Sequence, residues 1–353
     1  MKIFHGIENV AGIGGYLSGY QKKKGLDSEF IVLCKNKFFD NHDKFVFVEE
    51  NLGFFSRISL RFKLFFYAVN KFDVYNFYFS STLLPFSLDL PILRMLGKKV
   101  VMIYCGSEVR LVEVERSRNE FWSIIEPELK STLDDVVYDK YKKIRMIWQG
   151  FWCHKLLAPR NLYDHVVGFV PKKKIVSDLW VHNLSSYRNP VSVGSDKEGS
   201  LLRIVHIPSS PRVKGTHYFR SAVAELKSEG YCFDYKEVTN VSHFEAMSQL
   251  AEADIVLDQL LIGGFGSLSV EAMSYGKPVV CYLIDSVKSQ HYADCPIVNA
   301  NIFSVKDRIK ELIVNDKLRM DLGKKGKAYS DKYFNFVQIN ESMLSLYQEL
   351  RCD

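Results

Sequence analysis

Two runs of residues combine glycine, hydroxyl and charged groups in patterns suited to holding an anion. The first is Gly263-Gly264-Phe265-Gly266-Ser267-Leu268-Ser269-Val270-Glu271-Ala272-Met273-Ser274-Tyr275-Gly276-Lys277-Pro278-Val279-Val280. It reads as a glycine loop between a strand and a helix, whose bare N–H groups and helix N-terminus favour negative charge. Glu271 falls in the first turns of that helix, where its carboxylate can accept hydrogen bonds from sugar hydroxyls. Gly276 is placed to end the helix, and Pro278 to open the next buried strand. The second run is His206-Ile207-Pro208-Ser209-Ser210-Pro211-Arg212-Val213-Lys214-Gly215-Thr216, again between a strand and a helix. Arg212 and Lys214 there suit a diphosphate, because charge-assisted hydrogen bonds are the strong ones. Taken singly, each run also reads as an ordinary connection with solvated charges.

Taken together, the runs resemble the nucleotide-sugar domain of GT-B glycosyltransferases, above all the retaining family-4-type enzymes that include bacterial mannosyl- and glucosyltransferases. Gly264-Phe265-Gly266, Glu271-Ala272-Met273, Gly276 and Pro278-Val279-Val280 follow that family's order and spacing, and Lys214-Gly215 matches its second motif. The resemblance implies that Lys214 contacts the donor diphosphate and Glu271 the ribose. It extends donor binding to Ser209, Ser210, Gly264, Phe265, Gly266, Ser267 and Leu268, and stabilisation of the leaving group to Arg212. The motif's first glutamate is replaced by Gly263, and its first basic residue by Ser209.

The first half resembles polysaccharide glycosyltransferases more loosely. The carriers are His5-Gly6-Ile7-Glu8-Asn9-Val10-Ala11-Gly12, Asp89-Leu90-Pro91, Gly97-Lys98-Lys99 and Gly106-Ser107-Glu108-Val109-Arg110. This implies that the loop with Gly14 and Gly15 borders the donor, and that Cys105, Glu108 and Arg110 border the acceptor. Cys105 stands where the family has a histidine, and Glu108 where it has an aspartate. If the reaction inverts the sugar, Glu108 and His5 are the candidate bases; if it retains, no enzymic nucleophile is evident in the motifs. The resemblance implies no bound metal and no cofactor beyond the donor sugar nucleotide.

Stepping outward from these residues, both halves alternate short apolar runs with helical periodicity, which predicts doubly wound parallel α/β sheets. The expectation is a GT-B architecture: two Rossmann-like domains facing a cleft. Residues 1–192 form the acceptor domain and 200–334 the nucleotide-sugar domain, while a terminal helix over 335–353 crosses back to the first. The polar stretch Asn189–Ser200 is the expected linker. Strands are expected at Lys2–His5, Glu29–Cys34, Phe45–Val48, Val74–Phe79, Lys99–Tyr104, His154–Ala158 and Leu179–His182 in the first half. Helices are expected at Phe54–Lys71 and over most of Leu133–Gln149.

The chain has 353 residues, 47 % of them apolar and 25 % charged, which fits a folded chain of about two domains and excludes a disordered one. Seven cysteines without a Cys-x-x-Cys pair suggest reduced thiols. Residues 1–195 carry 28 Lys+Arg against 20 Asp+Glu, and residues 196–353 carry 19 against 21, so the basic charge lies in the first half. Residues 54–79 hold eleven Phe or Tyr with Arg57, Arg61 and Lys63 among them. That stretch reads either as core or as a surface for an anionic membrane bearing a lipid-linked acceptor. No nucleic-acid motif is present. The expectation is a cytoplasmic enzyme, at or near the inner face of the cell membrane, that transfers a sugar to a glycan or lipid-linked acceptor in bacterial capsule or lipopolysaccharide synthesis. A GT-B sugar-nucleotide epimerase and a non-catalytic sugar-nucleotide-binding protein are the alternatives.

Overall fold

The structure, a computed structural model, describes residues 1–34, 36, 39, 41–45, 53–129, 139–181 and 201–352. The expected linker at 189–200, residues 46–48 of one expected strand and residues 133–138 of one expected helix lie outside them. The chain divides into two compact units, Met1–Val114 with Asp135–Asn183 and Phe336–Asp353, and Glu115–Asp134 with Leu184–Asn335. The segment Glu115–Asp134, which the sequence reading kept with the first domain, thus packs in the second unit.

The first unit begins β1 (Lys2–Ile7), α1 (Ile13–Lys23), β2 (Asp27–Val32), β3 (Lys44–Phe45), α2 (Phe54–Lys71), β4 (Val74–Tyr78), α3 (Asp89–Met95) and β5 (Lys99–Ile103). Two helices follow, α4 (Val112–Arg118) and α5 (Trp122–Leu129), before the unit resumes with α6 (Asp139–Trp152), β6 (Lys155–Leu157), α7 (Tyr163–Val166) and β7 (Ile175–Val176). The seven strands are all parallel in the order β3-β2-β1-β4-β5-β6-β7. The last strand forms at Ile175–Val176 and pairs with Leu156–Leu157. Residues 179–181 of the strand expected at Leu179–His182 are irregular, and residue 182 lies outside the described residues.

Parallel strands covered on both faces read as continuous apolar runs, and successive side chains point to opposite faces. In β4, Tyr75 and Phe77 join one core with Phe4, while Val74 and Tyr78 join the other with Ile3. Helices α2, α3 and α6 close the first core through Leu64, Phe65, Ala68, Leu90, Leu93 and Met146. The second is closed by α1 and by the last helix of the chain, Phe336–Cys352, through Leu17, Met343 and Tyr347. The Tyr347 hydroxyl donates to Asn76 Oδ1 at 2.8 Å in the interior.

The second unit runs β8 (Arg203–His206), α8 (Pro211–Lys214), α9 (Thr216–Ser228), β9 (Asp234–Glu237), α10 (His243–Ala251), β10 (Ile255–Leu257), α11 (Ser267–Ser274) and β11 (Val279–Cys281). It continues with α12 (Asp285–His291), β12 (Val298–Asn299), α13 (Val305–Val314) and α14 (Asp316–Tyr333), after which the chain returns to the first unit as α15 (Phe336–Cys352). Its five strands are parallel in the order β12-β11-β10-β8-β9. Gly276, at φ +69°, closes α11: its N–H reaches the Met273 carbonyl and that of Lys277 reaches Ala272, both at 2.9 Å. This left-handed closure is one that glycine adopts without strain.

Each sheet holds one buried histidine that ties a strand to a neighbouring strand and helix within its own unit. His5 Nε2–H donates to Gln21 Oε1 at 2.8 Å, and Nδ1 accepts from the Tyr78 hydroxyl at 2.6 Å. His206 Nδ1–H donates to the Leu257 carbonyl and Nε2 accepts from Thr216 Oγ1, both at 2.8 Å. Burial lowers each imidazole to about 4, against the raising effect of these hydrogen bonds. The unfolded chain therefore takes up protons first as pH falls below about 6.5. Each histidine contributes stability that is complete above that pH and drains away by about pH 4, up to about 3 kcal/mol apiece. Thermal melts should show the melting temperature falling steadily from pH 7 to 4.5; a flat profile would contradict two neutral buried imidazoles.

Candidate active site

In open α/β sheets, ligands bind beyond the carboxyl ends of the strands where the strand order reverses. In the second unit that point lies between β8 and β10. The chain leaving β8 carries Ser209, which is exposed, and Ser210, which is half-buried and precedes α8. Arg212 is exposed on α8, and Lys214 closes it. The residue after β10 is Asp258, one past Leu257 and wholly buried. Lys214 Nζ donates to Asp258 Oδ1 at 2.7 Å, and the lysine side chain is 16 % exposed. Asp258 Oδ2 accepts the Gly266 N–H at 3.1 Å and the Ser269 hydroxyl at 2.6 Å. Burial would raise this carboxyl, but the Lys214 ammonium and the hydrogen bonds outweigh burial and hold it below the usual range.

Asp258 thus draws the lysine loop and the glycine loop to one place. Gly266 lies against the pair: a Cβ there would be in van der Waals contact with Lys214 Nζ at 3.4 Å. An ammonium has three donors; one goes to Asp258, and two remain for a ligand. The sequence points to Lys214 as a diphosphate contact but does not show that Asp258 already holds it. The glycine loop also differs from expectation. The Gly264 N–H is taken by the Ile262 carbonyl at 2.7 Å, its own carbonyl accepts from the Gln259 amide, and the Gly266 N–H is taken by Asp258. Ser267 and Leu268, both half-buried, head α11, where the first N–H groups lack intrahelical partners. Phe265 is a core residue, 2 % exposed and packed on Tyr292 with ring centroids 4.7 Å apart; its side chain is not available to a ligand.

Glu271 lies on the same helix, buried, with Oε1 accepting from His243 Nε2 at 2.8 Å. No described residue engages its other oxygen. His243 opens α10 directly after Ser242, which forms a reciprocal cap with Glu245. That capping pattern was the sequence signal for where His243 stands. The glycine at 263 has a steric reason: a Cβ there would strike the side chain of Ile284, itself buried. An acid at 263 has no room in this packing.

In the first unit the strand order reverses between β1 and β4. His5, a candidate base from its sequence position, is fully buried with both ring nitrogens engaged, so it serves the core. Glu108 is also buried, and its two oxygens accept the N–H groups of Cys105 at 2.5 Å and Gly106 at 2.7 Å. This is a carboxylate that clamps its own turn, with burial raising its pKa. Burial likewise pushes the Cys105 thiol well up, which leaves no reactive thiolate. Arg110 is half-buried, and its carbonyl accepts from Lys142 Nζ at 2.9 Å. Gly14 and Gly15 belong to α1: a Cβ on Gly14 would strike the Phe30 ring, and one on Gly15 the Asn41 carbonyl. Their lack of side chains is thus accounted for by packing.

The carboxylate at this reversal point is Glu8, which sequence reading passed over. It follows β1 directly, is half-buried, and accepts from the Ser81 hydroxyl beyond β4 at 3.3 Å. Burial raises its pKa against the lowering effects of Ser81 and Arg61.

No protein-family model matches the chain. An uncharacterized glycosyltransferase of Methanocaldococcus jannaschii is 32 % identical over 90 residues, and the chain spans a quarter of that relative's length, using a quarter of its own. Among solved structures, sucrose-phosphate synthase from Thermosynechococcus elongatus superposes with a TM-score of 0.65 at 11 % identity, covering 99 % of this chain and 98 % of that one. Anabaena HepE in complex with UDP-glucose gives 0.65 at 13 % identity, with 98 % and 99 % covered. S. aureus MnaA with UDP gives 0.60 at 14 %, with 99 % and 98 % covered. Over essentially its whole length, the chain has the two-sheet α/β fold of the GT-B glycosyltransferases.

Proposed function

We propose that the chain is a glycosyltransferase that moves a sugar from a nucleoside diphosphate to a glycan or lipid-linked acceptor in bacterial surface polysaccharide synthesis. The observation that carries the reading is the junction of Lys214, Asp258 and the head of α11 at the strand-order reversal of the second sheet. It offers two ammonium donors and free helix-end amides where parallel sheets bind ligands. Uridine diphosphate is the first nucleotide to test, since HepE and MnaA were both crystallised with it.

In the proposed reaction the bond between the sugar's anomeric carbon and the diphosphate oxygen breaks, and its electron pair leaves with the nucleotide. Lys214 and Arg212, with the amides of Ser267 and Leu268, offset the charge that develops there. We propose that these groups suffice without a bound metal or cofactor. The open oxygen of Glu271 accepts from the ribose while His243 fixes its orientation. The acceptor hydroxyl forms the new bond on the face the diphosphate leaves, with retention, and its proton passes to the departing phosphate oxygen. In the first unit taken by itself, Glu8, half-buried at the end of β1, offers a carboxylate to a hydroxyl of the acceptor. The seven cysteines, all unpaired, support a reducing cytoplasmic setting, at the inner face of the membrane where a lipid-linked acceptor would lie.

Calorimetry with UDP tests the donor side. Lys214→Ala should weaken binding by tenfold or more and Glu271→Gln by about tenfold, the scale of a lost charge-assisted hydrogen bond. Undiminished affinity in Lys214→Ala would remove the diphosphate site. Product analysis of a UDP-sugar incubated with and without acceptor separates transfer from epimerisation. On the acceptor side, Glu8→Gln should raise the acceptor KM by about tenfold and leave donor affinity alone; an unaltered KM would dismiss that role. Gly263→Glu should destabilise the fold by about 1–3 kcal/mol through overpacking, and Ile284→Ala in the same chain should recover part of the loss. Additive costs in that double-mutant cycle would mean the two side chains do not compete for space.

A further inference from the structure

The outer surface of the α2–α3–α6 layer is unusually apolar for a face that no described element covers. Helix α2 turns Leu64, Phe65 and Ala68 inward, and presents Phe55, Phe62 and Phe66 outward at 84 %, 44 % and 61 % exposure. Their spacings of seven and four place them on one stripe. Helix α6 does the same: Met146 and Gln149 face the core, while Ile144, Trp148 and Phe151 stand exposed at 55 %, 36 % and 69 %. Between them, Phe86 is 90 % exposed just before α3, and Met95 is 79 % exposed at its end. The Trp148 indole N–H donates to the Ser87 carbonyl at 3.1 Å, which sets the α6 stripe beside the Phe86 turn. The three helices share one core beneath, so these side chains belong to one layer.

The charge of the layer selects its partner. Helix α2 has no acidic residue and carries Arg57 and Lys63 exposed and Arg61 half-buried, while its Lys71 is paired with Glu29. On α6, Lys140 is exposed, while Lys142 is buried with Nζ on the Arg110 carbonyl, Lys143 pairs with Glu113, and Arg145 donates to the Glu108 carbonyl; the helix has the single acid Asp139. A second copy meeting this face by two-fold symmetry would bring like charge against like charge. Among the described residues, no helix is long and apolar enough to cross a membrane.

We propose that the outer face of α2, α3 and α6 docks onto an anionic bilayer, seating its aromatic and aliphatic side chains at the boundary between headgroups and acyl chains. The basic residues supply the selection for anionic lipid, and the apolar stripes supply the insertion. The surface specifies where a membrane would contact the proposed transferase, but its own argument uses only exposure and charge.

Flotation of the full chain with two vesicle types tests this: phosphatidylcholine alone, and phosphatidylcholine with about a quarter phosphatidylglycerol. The expected result is binding to the anionic vesicles at least tenfold tighter than to the neutral ones, weakened severalfold by raising salt from about 0.1 to about 0.5 M. Phe62→Ser with Phe66→Ser, and separately Ile144→Ser with Phe151→Ser, should each cut partitioning about tenfold with the melting temperature unchanged, since each side chain contributes by its buried apolar area. Lys63→Glu, which leaves the apolar stripe intact, should reduce binding to anionic vesicles only. Failure to float with either vesicle type would overturn the proposal, as would partitioning untouched by the serine variants. Concentration-dependent dimerisation abolished by the same serine variants, without vesicle binding, would assign the face to self-association instead. Vesicle binding is read without nucleotide, so a chain that floats but binds no nucleoside diphosphate overturns the transferase reading and leaves this surface standing.

Discussion

One buried carboxylate organises the second unit's chemistry. Asp258 lies in the interior with Lys214 on one oxygen and the Gly266 N–H and Ser269 hydroxyl on the other. An isolated carboxylate in such a place is strongly disfavoured, and breaking a buried pair costs about 3–5 kcal/mol because the partner charge is left alone. The cost of burying Asp258 therefore enforces geometry: the loop after β8, the end of β10 and the head of α11 must converge. The lysine is thereby pre-positioned and its long side chain immobilised before any ligand arrives, which lowers the ordering cost of binding.

The two units solve the same problem with different hardware. Each has parallel strands whose order reverses once, at β1 and β4 in the first and at β8 and β10 in the second. At the first reversal stands a half-buried acid, Glu8, held by a serine; at the second stands a buried acid shared by a lysine, a backbone amide and a serine hydroxyl. The first suits hydrogen bonding to a neutral hydroxyl, and the second suits presenting a cation.

Much of the architecture was legible because buried parallel strands and amphipathic helices leave period-two and period-3.6 signatures. Phe54–Lys71 falls where its spacing predicts. The short strand Ile175–Val176 did not show itself, since two half-buried residues after a lysine triplet give no periodicity. At the site, glycine loops and charged residues marked Lys214 and Glu271, but their partners were invisible. Asp258 lies 44 residues beyond Lys214, and His243 lies 28 before Glu271; only the strand order brings each pair together. The same blindness made His5 and Glu108 look available when both are spent on internal hydrogen bonds. Exposure is also a property of packing, and this is why the aromatic stretch at 54–79 divided, with Phe65, Phe72, Tyr75 and Phe77 turned into the core and Phe62 and Phe66 turned out.

The return of α15 to the first sheet has a consequence for how the chain matures. Met343, Leu346 and Tyr347 cover apolar strand side chains that Val74, Tyr78 and Val101 present on one side of that sheet. On a ribosome, the first unit's strands emerge long before these residues, and domains generally fold as units from the N-terminus. Here that order is inverted: the second unit has all its parts once residue 335 has left the tunnel, while the first waits, with one flank bare, for the final helix. Nascent chains stalled short of α15 would be natural clients for holdase chaperones.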